Sequence, residues 1–149
     1  MTLVPDPTNH TSSSSIINAG TIRWMSPELL LPEKFGFKDR RRTKESDRYA
    51  LGMVILEVLS GHAPYESYVD FIAAQKVTRG KHPKRPKGEW FTDELWKTLK
   101  DCWSSKPKRR PTAEAILECL GRVSAALQLP LLSATKKFRW MSILSHIRR

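Results

Sequence analysis

The residues best placed to do chemistry fall in three short stretches. They are Gly20-Thr21-Ile22-Arg23-Trp24-Met25-Ser26-Pro27-Glu28, Ser46-Asp47-Arg48-Tyr49, and Pro107-Lys108-Arg109-Arg110-Pro111-Thr112. Together they supply a hydroxyl (Thr21), two carboxylates (Glu28 and Asp47) and a guanidinium (Arg110). A guanidinium and a carboxylate can form a bidentate, charge-assisted contact that ties distant segments together. An aspartate opening a helix can cap it near solvent. Metal and redox chemistry find no support, because Cys102 and Cys119 are the only cysteines and lack paired spacing. The same cysteine usage fits a reduced, intracellular compartment.

The elements that must position these groups are helical. Ser26 to Leu31 can form a short helix with Pro27 in its first turn. Pro32 to Lys44 is polar and basic and reads as a loop. Ser46 or Asp47 can cap the following helix, which runs to about Ser60 and stops at Gly61. That helix is apolar nearly all round, through Leu51, Met53, Val54, Ile55, Leu56, Val58 and Leu59. A helix with no wet face needs burial on most sides, which makes it the expected hub. Ser67 is placed to cap a helix over Tyr68 to Thr78, closed by Gly80. Thr92 caps the next, where Leu95, Trp96, Leu99, Cys102 and Trp103 recur at helical spacing. Thr112 caps the last, with Ile116, Leu117, Leu120, Val123 and Leu127 on one side. Trp24, Trp96 and Trp103 read as core residues. The expected architecture is an all-α helical bundle with almost no strand signal. Residues 1–19, with a Thr/Ser run over 11–15, read as flexible; 20–127 form the domain; 128–149 are a basic tail.

At 149 residues, with 40% hydrophobic and 28% charged content, the chain can build one domain with a real core. The N-terminus lacks a charged-then-apolar leader pattern. Its most apolar run, Tyr49 to Leu59, is interrupted by Glu57 and too short to span a bilayer.

Read together, the motifs resemble the large lobe of a protein kinase catalytic domain. Ser26-Pro27-Glu28 stands where that family has Ala-Pro-Glu at the end of the activation segment. Ser46 to Val58 is similar to the lobe's central helix. Cys102-Trp103 followed by Pro107 to Thr112 is similar to its closing element. The resemblance covers roughly Gly20 to Ala126 and is nearest in wording to the tyrosine-kinase-like branch. Pro32 to Lys44 looks like a local expansion relative to the family.

The resemblance implies roles for individual residues. Glu28 would pair with Arg110 as a structural latch that does no chemistry. Asp47 would accept hydrogen bonds from the backbone of the catalytic loop, unless it serves as a plain helix N-cap. Thr21 would line the site that receives the substrate hydroxyl, and its identity leans towards Ser/Thr specificity in the parent. Trp103 would belong to the structural core. The hydroxyls of residues 11–15 would be phosphorylation candidates in an activation loop, or part of a plain leader. The parent would use ATP and Mg.

Several parts of that chemistry are missing from this sequence. No two glycines are separated by a single residue, so there is no Gly-x-Gly loop for phosphates. None of His10, His62, His82 and His146 is followed by Arg-Asp, and there is no Asp-Phe-Gly. Lys34-Phe35-Gly36 matches only its last two letters, and a lysine cannot hold Mg²⁺. No Val-Ala-Ile-Lys strand is present. No catalytic, cofactor-binding or metal-binding residue is therefore assigned, and the chain alone is expected to be inactive.

Two further readings rest on other features. A non-catalytic, pseudokinase-like module would bind a protein partner or substrate near Tyr68 to Thr78 and Thr92 to Trp103. The formal net charge of +11 invites nucleic acid, but the basic runs lack interleaved aromatics, so no specific nucleic-acid binding is expected. In the tail, Phe138, Met141, Leu144 and Ile147 could form an apolar stripe among basic residues, suited to an anionic membrane or a partner groove.

Overall fold

A computed structural model describes residues 22–127. Thr21, the leader over 1–19 and the tail over 128–149 lie outside the described residues. The described residues contain five α-helices and no strand: α1 (Pro27–Leu30), α2 (Lys44–Ser60), α3 (Asp70–Thr78), α4 (Asp93–Cys102) and α5 (Ala113–Ala126). Single 3₁₀ turns occur at Ile22–Trp24, Pro32–Phe35 and Pro107–Arg109.

Local chemistry explains most of the helix ends. Pro27 occupies the first turn of α1, where its missing N–H costs nothing. Thr92 and Thr112 cap α4 and α5, their hydroxyls accepting from the backbone N–H of Leu95 and Ala115. Gly61, with φ +76°, closes α2 in the left-handed conformation that glycine tolerates best.

Two caps differ from expectation. Neither Ser46 nor Asp47 opens α2; Thr43 does. The Thr43 hydroxyl accepts from the Ser46 N–H at 3.1 Å, and the Ser46 hydroxyl accepts from the Thr43 N–H at 2.9 Å. This reciprocal pair satisfies two backbone donors, where a lone cap satisfies one. Asp47 is thus an exposed residue one step further along the helix. Ser67 likewise does not cap α3, which starts later, at Asp70, after Val69. The turn before it folds back at Tyr65, whose φ is +57° and whose hydroxyl donates to the Lys81 carbonyl at 2.7 Å.

The core forms where α2 packs on α4 and α4 packs on α5. Met53 and Leu56 from α2 meet Leu95, Leu99 and Cys102 from α4, with Ile116, Cys119 and Val123 closing the far side. Trp103 is 1% exposed and makes edge contacts with Trp96 and His82 at ring separations of 5.6 and 5.7 Å. Burial pushes the Cys102 thiol up to about 12, so it stays protonated at neutral pH. Leu117, expected on the packed side of α5, is 70% exposed, because the buried face instead runs through Ile116, Cys119 and Val123.

The hub is buried on one side only. Tyr49, Gly52, Met53 and Leu56 face the core, but Val54 and Val58 are 43% and 45% exposed. With Asp47 and Leu51 they recur at i, i+4, i+7 and i+11, a single stripe along α2. Leu51 is half-buried and packs against the core, while Asp47, Val54 and Val58 stay exposed.

Gly52 allows the closest approach in the core. A Cβ there would stand 2.7 Å from the Cys102 Cβ and 2.9 Å from the Trp103 indole nitrogen. Alanine is the better helix former by about 1 kcal/mol. Overpacking a full core costs about 1–3 kcal/mol. Gly52→Ala is therefore expected to lower stability in urea unfolding. A gain in stability would mean that α2 and α4 are not held this closely.

Candidate functional site

The segment Ile22–Met25 is pinned from two directions. The Arg23 guanidinium donates to the carbonyls of Pro64 (3.1 Å), Tyr65 (2.7 Å) and Tyr68 (2.7 Å), and pairs with Asp70 at 2.9 Å. It thereby fixes the loop that leads into α3. Trp24 donates its indole N–H to the Glu57 carboxylate on α2 at 2.9 Å. These contacts set the position of the chain immediately after Thr21. In the sequence Arg23 stands out only as part of a motif. Its acceptors are backbone carbonyls, which leave no mark in residue types.

A few residues on, the structure brings Glu28 and Arg110 together. Arg110 Nη1 and Nη2 donate to Glu28 Oε1 and Oε2 at 2.6 and 2.8 Å. Both residues are 3% exposed. The guanidinium does more than meet one carboxylate. Its Nε donates to the Ser104 carbonyl at 3.0 Å, and Nη1 also donates to the Glu45 carbonyl at 2.8 Å. Its carbon lies 5.1 Å from the centre of the Tyr49 ring. Burial pushes the Tyr49 phenol well above its ordinary value, so that ring stays neutral beside the cation. One side chain thus joins α1, the first turn of α2 and the turn after α4. Ser104, Glu45 and Tyr49 were not foreseen as partners, because two act through backbone carbonyls and the third through a ring face.

The other candidates are placed apart. Asp47 is exposed and its carboxylate has no partner among the described residues. Trp103 is buried in the core, and its indole N–H has no acceptor among the described residues. Thr21 lies outside the described residues. Among the described residues, no group of three or more His, Cys, Asp or Glu is arranged to hold a metal ion. No described helix is long and apolar enough to cross a membrane.

Comparison with known proteins gives the same direction as the geometry. The profile of the protein tyrosine and serine/threonine kinase family matches residues 5–120. The chain belongs to that family. It carries part of a kinase catalytic domain, and its helical layout is that of the kinase large lobe. A probable LIM domain-containing serine/threonine-protein kinase of Dictyostelium discoideum is 34% identical over 113 residues, covering 76% of this chain and 16% of that protein. The serine/threonine-protein kinase VIK of Arabidopsis thaliana is 31% identical over 109 residues, covering 72% of this chain and 23% of that protein. Vascular endothelial growth factor receptor 2 of Coturnix japonica is 31% identical over 107 residues, covering 70% of this chain and 7% of that protein. The chain therefore spans less than a quarter of these relatives, which include both Ser/Thr and tyrosine kinases.

Removing one member of a buried ion pair costs about 3–5 kcal/mol, because its partner is left as an unpaired buried charge. Arg110→Ala is expected to destabilise this kinase lobe on that scale in urea unfolding, and a change within about 0.5 kcal/mol would place Arg110 among ordinary surface residues. Ser26 gives the opposite case. It is fully buried, yet its hydroxyl has no partner among the described residues. Deleting an unsatisfied buried hydroxyl is neutral or stabilising, so Ser26→Ala should leave the melting temperature unchanged or raise it. A clear fall would mean the hydroxyl is bonded in solution.

Proposed function

We propose that this chain supplies the substrate-side scaffold of a protein kinase that transfers the γ-phosphoryl group of ATP to protein Ser or Thr. Within the 149 residues themselves, it does not bind ATP or perform the transfer. The observation that carries this reading is a pairing of presence and lack. The family match and the Arg23, Glu28 and Arg110 contacts support a folded activation-segment end. The sequence has no Gly-x-Gly, no His-Arg-Asp and no Asp-Phe-Gly. Phosphoryl transfer depends on just those parts: a loop over the phosphates, a base and metal ligands. Thr21, beside the pinned Ile22–Met25 segment, favours serine or threonine as the parent's acceptor.

The partly exposed stripe on α2 supports the same reading. In a complete lobe, Asp47 would hold the catalytic loop, and Leu51, Val54 and Val58 would be packed beneath neighbouring elements. A second reading, a non-catalytic interaction module, draws on the start of α3. There Val69 and Phe71 are 68% and 69% exposed beside Tyr68 and Ile72.

Millimolar Mg-ATP should leave the melting temperature of the purified chain unchanged, since only a ligand that binds the folded state raises it. The native transcript, sequenced across its 5′ end, should encode His-Arg-Asp and Asp-Phe-Gly upstream in frame. A nucleotide-dependent rise in melting temperature would overturn the first expectation. A transcript lacking those motifs would favour the interaction module.

A further inference from the structure

A groove of ≈ 660 Å³ lies between the segment 35–43 and the connector 105–109, on the outer side of the Glu28–Arg110 pair. Its size is within the ≈ 300–1,000 Å³ range of ligand sites. Its apolar lining comes from Phe35, Phe37 and Pro107. Phe37 is 44% exposed, a large aromatic ring left uncovered among the described residues. The edges carry Arg41, Lys106, Lys108 and Arg109. Among the described residues, none of these four cations takes part in an ion pair.

The two acidic residues that line the groove are already engaged. Glu28 is held by Arg110, and the Glu45 carboxylate lies 3.7 Å from Arg48. The groove therefore presents an apolar floor ringed by uncompensated positive charge. Apolar walls focus such a field on whatever enters. Nucleic acid would meet the charge but gain little from so short an apolar floor, since single strands need an extended basic track with successive stacking rings.

We propose that this groove docks an acidic peptide segment of a partner protein through one apolar side chain flanked by carboxylates. The apolar side chain packs on Phe35, Phe37 and Pro107. The carboxylates meet Arg41, Lys106, Lys108 and Arg109. The proposal is independent of phosphoryl transfer.

Fluorescence anisotropy with the full chain tests it. The probes are two short labelled peptides of aspartate and glutamate, one with a central phenylalanine and one with alanine in its place. At moderate salt the phenylalanine peptide should bind about tenfold more tightly, a difference of about 1.4 kcal/mol. Phe37→Ala should remove that preference. The double change Lys106→Glu with Lys108→Glu should weaken binding by about tenfold or more. A charge-matched control on another surface, Lys84→Glu with Lys87→Glu, should change it far less. All of these side chains are exposed, so the variants should keep the wild-type melting curve. Equal losses in the two charge-reversed variants would reduce the effect to overall charge and overturn the proposal. So would equal binding of the two peptides, no binding at all, or full competition by a single-stranded oligonucleotide at matched charge.

Discussion

The buried contact between Arg110 and Glu28 is the constraint on which the arrangement depends. Two charges withdrawn from water are costly unless they meet each other in good geometry and their remaining donors find acceptors. Here both carboxylate oxygens are used, and the guanidinium goes on to the carbonyls of Ser104 and Glu45. Any displacement of α1, of the start of α2, or of the turn after α4 would strand a charged group in the interior. The pair thus couples three segments that are far apart in sequence. Hydrophobic packing of α2, α4 and α5 gives the lobe its cohesion, but apolar contacts are non-directional. The ion pair is what fixes α1, and with it the segment just before it, at one place on that core.

Arg23 extends this logic. Glu28 holds the far end of the segment, while Arg23 and Trp24 hold its near end against the 64–70 loop and Glu57. A kinase uses such a segment to present a substrate, and presentation needs a rigid support. In this chain the segment is held at both ends. Asp47, Val54 and Val58 lie exposed along another side of α2. A family match over residues 5–120 and a span of less than a quarter of the relatives agree with a partial domain.

Much of the fold was legible because its signals are local. Thr92, Thr112, Pro27 and Gly61 act on their own helix ends, so a reading of residue types and spacing finds them. Thr43 was missed because its value comes from a reciprocal bond with Ser46, and Ser46 alone looks like an ordinary cap. The start of α3 was misplaced for a related reason: the turn at Tyr65 is held by Arg23 and Lys81, from other segments. Val54 and Val58 read as buried because an apolar helix cannot say which of its sides has a neighbour. At the site, the Glu28–Arg110 pairing came from family resemblance, since spacing alone gives no reason to join them. The further acceptors of Arg110 and Arg23 are backbone carbonyls, present at every residue and so invisible in a sequence.

A double-mutant cycle across Glu28 and Arg110 probes the central claim most directly. Glu28→Gln, Arg110→Met and the double variant would be compared by urea unfolding of the full chain. If the pair locks these segments together, the double variant will be clearly less destabilised than the two single losses added, with a coupling of at least about 2 kcal/mol within the 0.5–3 kcal/mol seen for contacting residues. Additivity within about 0.5 kcal/mol would show two independent residues and would contradict the account.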